Sequence, residues 1–170
     1  MSSNIAVYTA PQGVSLVDIR SDAARFPRIK NLTAQQATAR LQQVVAMAYA
    51  YTGRPAEAGR IEMVAAALYN ELLEDKRGLG TGNITIEEIG HAVKAAILDG
   101  PDDMYISVAT LYKAICAYAE GEGHDAQQAA YKRKIDQQKA LLNASPVGAM
   151  LQAYAGATLS NTQTLKSTKK

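Results

Sequence analysis

Glu88-Ile-Gly-His91 is an E-x-x-H step, which on a helix sets a carboxylate and an imidazole on one face, the ligand spacing of a di-iron bundle. Such a site needs two of these steps and two further glutamates. The chain has one, and its second histidine, His124, follows Gly123 in an expected loop. His91 therefore reads as a surface or boundary residue without a partner, and Glu88 as a helix cap. Gly78, Gly80 and Gly82 make a G-x-G-x-G loop. A phosphate-cradling loop of the dinucleotide type needs a strand before it and a helix directly after it. Here a helical pattern precedes it, and Asn83-Ile84 intervene before the next cap, so a helix connection with positive φ is the better account. Cys116 lies beside Ile115 in an apolar stripe with no Cys–His arrangement, and reads as a small packed side chain. The acid pairs Glu74-Asp75, Glu87-Glu88 and Asp102-Asp103 fall at helix ends or turns; Glu87-Glu88 suits a helix N-terminus through its dipole. There is no Ser-His-Asp order, P-loop, H-E-x-x-H or C-x-x-C pair. The expectation is a non-enzyme with no catalytic residue, no metal site and no cofactor.

The side chains left with something to offer a partner are Lys132, Arg133, Lys134 and Lys139. They could contact an anionic surface, nucleic acid included, although phosphate contact asks only for accessible cations. Tyr131, Ile135 and Leu142 form one thin apolar line on the same predicted helix, with Leu141 beside it, and are expected to dock protein.

The elements that must position these residues follow from caps and periodicity. Thr33 with Gln36 fits a capping box, and apolar residues at Ala34, Ala37, Leu41, Val44, Val45, Ala48 and Tyr51 keep helical spacing up to Gly53. A second helix runs roughly from Ala56 to Asp75 with Ile61, Val64, Ala65, Leu68 and Leu72 as its stripe. A third is capped by Thr85 with Glu88, buries Ile86, Ile89, Val93, Ala96 and Ile97, and stops at Gly100-Pro101. A fourth takes Ser107 as its N-cap, buries Val108, Leu111, Tyr112, Ile115 and Ala119, and ends at Gly121 and Gly123. The fifth, about Asp125 to Asn143, is the polar one; a short last helix is expected from Ser145-Pro146 to about Tyr154. The fold class is all-α: a compact bundle of four core helices over residues 32–120, with an N-terminal extended arm over 1–31. A polar, basic helix and the short last helix take 121–156, and a disordered Thr-, Ser- and Lys-rich tail takes 157–170. Within the arm, residues 14–19 (VSLVDI) read as an extended piece, and its apolar residues favour docking on its own domain or on a neighbour.

Composition sets the outer limits. A chain of 170 residues suits one domain with tails. Nine Tyr against one Phe and no Trp place rings at core boundaries and contact surfaces, where each hydroxyl can find a partner. The net charge of +2 is too small to demand nucleic acid, but its distribution is uneven. From Asp125 onward seven cations face two acids, leaving the first 124 residues at −3. One cysteine excludes an internal disulfide, no run of eighteen apolar residues suggests a membrane span, and the N-terminus lacks the basic and apolar regions of a signal peptide. The expected setting is the cytoplasm, or a virus particle in an infected bacterial cell.

Three segments carry a resemblance. They are Leu68-Tyr-Asn-Glu-Leu-Leu-Glu-Asp75, a helix ending in acids; the apolar spacing Ile86, Ile89, Val93; and the hydroxyl-capped start Tyr105-Ile-Ser-Val-Ala-Thr-Leu111. Over about sixty residues this pattern resembles the small helical domain of phage and mobile-element helicase loaders, or replisome organisers, with Ile106 where a proline is common. The resemblance implies a non-enzymatic adaptor in DNA replication that binds a helicase through one segment and DNA-bound proteins through another. The alternative is a structural protein of a phage particle, such as a head–tail connector, with arm and tail gripping neighbours in a homo-oligomer.

Overall fold

The computed structural model describes residues 6–101 and 104–145. Ser15 opens the first helix, α1 (Leu16–Ser21): its hydroxyl accepts the Asp18 amide at 3.2 Å and its own amide donates to the Asp18 carboxylate at 3.2 Å. The sequence pattern favours an extended piece over 14–19, but only Val14 and Ser15 stay outside a helix, which runs from Leu16 to Ser21. A reciprocal cap satisfies two of the amides a helix start leaves open, and this local gain outweighs the strand preference of Val14, Val17 and Ile19.

Helix α2 (Ala34–Tyr51) starts from the Thr33–Gln36 box and α4 (Ile86–Leu98) from the Thr85–Glu88 box, with α3 (Ala58–Glu74) between them. Helix α5 (Val108–Glu120) starts from Ser107, whose hydroxyl accepts the Thr110 amide. These four form an all-α bundle: α2 packs on α3 and α4, and α5 closes onto α3 and α4. Leu41, Leu68, Leu72, Ile89, Leu111 and Ile115 are fully buried at its centre. No strand occurs among the described residues; one isolated bridge joins Arg28 to Thr85.

The loop after α3 is held by Asp75, whose backbone is left-handed (φ 46°). Its carboxylate accepts the Leu79 and Gly80 amides at 3.0 and 2.8 Å. The Thr81 hydroxyl, 2.7 Å from the Leu72 carbonyl, also lies 3.2 Å from that carboxylate. Gly78 and Gly80 take positive φ, as a helix connection requires.

The segment before α2 docks on this core. The Tyr8 amide donates to the Gln43 carbonyl at 3.1 Å, the Ile29 amide to the Ile84 carbonyl at 2.9 Å, and Ile19, Phe26 and Ile29 are buried. Gly90 explains how Tyr8 fits: a Cβ there would stand 2.3 Å from the Tyr8 ring.

The sequence pattern puts His124 in a loop and lets both Gly121 and Gly123 end α5. Only Gly121 breaks the helix. Its carbonyl accepts the His124 and Asp125 amides at 3.0 and 3.2 Å, so α6 (Glu122–Ala144) begins at once and includes His124. Gly123 serves close approach instead, since a Cβ there would meet the Tyr118 ring at 2.8 Å. The chain divides into two units, Met1–Ala130 and Tyr131–Lys170, and every buried residue among those described belongs to the first. The short helix expected from Ser145-Pro146 to Tyr154 and the tail over 157–170 lie outside the described residues.

Candidate functional site

Helix α6 carries the predicted contact residues. Lys132, Arg133, Lys134 and Lys139 are all exposed. At 100° per residue Tyr131, Ile135 and Leu142 fall on one line, with Gln138 completing their 4-3-4 spacing. Tyr131 is 68 % exposed and Leu142 51 %, while Ile135 is half-buried. Lys132 and Lys139 flank the line on one side, Lys134 and the exposed Leu141 on the other, and Arg133 lies behind it. Among the described residues no acid forms an ion pair with Lys132, Lys134 or Lys139. The arrangement is an amphipathic strip with cationic edges.

Glu88 does more than the sequence suggests. It is fully buried, and so is nearly all of the Arg20 side chain, 6 % exposed. The carboxylate caps α4 through the Thr85 amide at 2.9 Å, accepts the Tyr118 hydroxyl at 2.8 Å, and pairs with the Arg20 guanidinium. Burial, and next the adjoining Glu88 carboxylate, push the Tyr118 hydroxyl above the usual tyrosine range. Both carboxylate oxygens are engaged and none meets solvent, so Glu88 holds structure and is not placed to move a substrate proton. Arg20, missed in the sequence, carries no local signal, because the bond spans 68 positions.

His91 is not unpartnered. Its Nε2 lies 2.9 Å from the Glu122 carboxylate, on the first residue of α6, and its ring meets Tyr118 edge-on at 6.0 Å. The E-x-x-H step thus splits, with Glu88 directed to Arg20 and His91 to Glu122, and no group that could hold a metal occurs among the described residues. Cys116 is fully buried, and burial raises its thiol above the ordinary range, the reverse of an activated nucleophile.

A second exposed cluster also escaped the sequence. Tyr105, 56 % exposed, accepts a hydrogen bond from Arg60 and lies under two guanidiniums, those of Arg60 at 5.5 Å and Arg54 at 5.9 Å. Exposed Tyr and Arg are the residue types protein interfaces favour, but here each ring face and cation already has its counterpart within the fold. A depression of about 350 Å³ beside α2, lined by Ala34, Gln35, Thr38, Ala39, Gln42 and Glu62, offers one carboxylate and no partner for acid–base work. No helix among the described residues is long and apolar enough to cross a membrane. No family model, curated protein or solved structure matches the chain.

Proposed function

We propose that this chain is a non-enzymatic adaptor that docks a protein partner through residues 131–142, in the replication of phage or mobile-element DNA. The observation that carries the reading is the apolar line Tyr131, Ile135 and Leu142 on one helix, its two ends exposed and Ile135 half-buried, between cationic edges. The chemistry of the bundle agrees with this reading. Its titratable groups with the most contacts, Glu88 and Asp75, are spent on caps and loops, which suits scaffold and not catalysis. The replication setting rests on the resemblance of about sixty residues, those carrying the 68–75, 86–93 and 105–111 patterns, to helicase-loader domains.

Two measurements on the purified full chain test it. Light scattering separates the adaptor from a particle component: the adaptor is monomeric, whereas a closed ring or larger assembly favours the virion reading. Affinity for a replicative helicase should fall when Leu142 is replaced by Lys and should weaken as salt rises, since lysines edge the strip. Unchanged affinity for Leu142→Lys would remove the strip from the docking role.

A further inference from the structure

The edges of the α6 strip identify its partner. With Ile135 and Leu142 at heptad position a, and Tyr131 and Gln138 at d, Lys132 and Lys139 take e and Lys134 and Leu141 take g. A helix lying along this strip meets its a and d residues at the centre and its e and g residues at the edges. Every charged edge position over residues 131–142 is a lysine. A second copy of this chain meets like charge in either direction. Lined up in parallel, Lys134 faces Lys139 of the other copy; antiparallel, the lysines at e, Lys132 and Lys139, face each other. Self-pairing is therefore disfavoured by the same residues that reward an acidic partner.

We infer that the 131–142 strip takes an amphipathic helix of another protein, apolar at a and d and acidic, Glu or Asp, at e and g. This inference rests on the docking role proposed above and names the partner's chemistry. Duplex DNA fits less well. It would engage the lysines through phosphate but leave Tyr131, Ile135 and Leu142 without an apolar counterpart. Gln138, polar in the middle of the seam, sets register by asking for a polar residue opposite it.

The test uses the full chain and two synthetic helices of about three heptads. Both carry Leu at a and d with one Asn; one has Glu at e and g, the other Lys. Fluorescence anisotropy is expected to show the Glu-edged helix binding about tenfold or more tighter than the Lys-edged one. The triple variant K132E/K134E/K139E should reverse that order, which a misfolded protein could not do. Equal binding of the two helices, still abolished by Leu142→Lys, overturns the acidic-partner inference and leaves the docking role standing. Binding of neither helix, with a DNA duplex bound through the same lysines or with a stable dimer by sedimentation, overturns both.

Discussion

Arg20 and Glu88 stand 68 positions apart and meet inside the protein, each almost wholly removed from water. A buried pair of this kind gives little net stability against an apolar replacement of both partners, but breaking it leaves one charge stranded. Arg20→Met should therefore lower stability by about 3–5 kcal/mol in urea unfolding, and adding Glu88→Gln should restore part of that loss. A loss below about 1 kcal/mol would mean that water reaches Glu88 once Arg20 is gone. The tyrosines give a second prediction. Tyr8 is pushed up to about 12 by burial and by the nearby Glu87 carboxylate. An unfolded tyrosine titrates near about 10, so the contribution of Tyr8 is complete below that pH. As pH rises through the folded value the unfolded chain has already released its proton and the folded one has not, so stability falls between about pH 10 and 12. Tyr118 acts in the same direction. Urea midpoints taken from about pH 9 upward should decline, and Tyr8→Phe should make the decline shallower.

At the scale of the element, what was legible in the sequence was what is local. Three helices begin where Thr33, Thr85 and Ser107 allow, because a cap is a contact between residues three apart. The basic helix was legible for the same reason, as a run with few apolar positions. What failed were contacts closed by the tertiary fold: Arg20 on Glu88, Glu122 on His91, and Gly123 making room for Tyr118. The helix α1 over Leu16–Ser21, where an extended piece is expected over 14–19, is the instructive miss, since its Ser15–Asp18 box is as local as the other caps. Helix α6 has a further consequence. Among the described residues it has no buried side chain from 131 to 142, so little packing holds that stretch helical. Hydrogen exchange of its amides over 131–142 should be fast, while those of α2, with Leu41, Val44 and Val45 fully buried, stay protected. Binding of the Glu-edged helix should slow exchange in 131–142 specifically. Protection there in the free protein equal to that of α2 would show that another surface already covers the strip.

At the scale of the whole molecule, stability and charge are divided between the two units. Residues 131–170 contain seven cations and one acid, which leaves Met1–Ala130 at −4 when the chain total is +2. All described buried residues lie in the first unit, the last of them Ala126, 6 % exposed in the first turns of α6. A chain ended after Ala130 keeps that contact, the Arg20–Gln127 hydrogen bond and the His91–Glu122 pair. It loses the strip and the cations that edge it. For a unit of this size about 1 kcal/mol corresponds to roughly 3–6 °C in Tm. The truncated chain should therefore unfold in one cooperative transition within about 3 °C of the full chain, while binding no Glu-edged helix. The remaining unit is net acidic and would repel an acidic partner where the basic segment of the full chain attracts one. A broad transition, or a Tm lower by much more than that, would show that residues beyond 130 stabilise the bundle, and the division of labour between a scaffold and a docking helix would then fail.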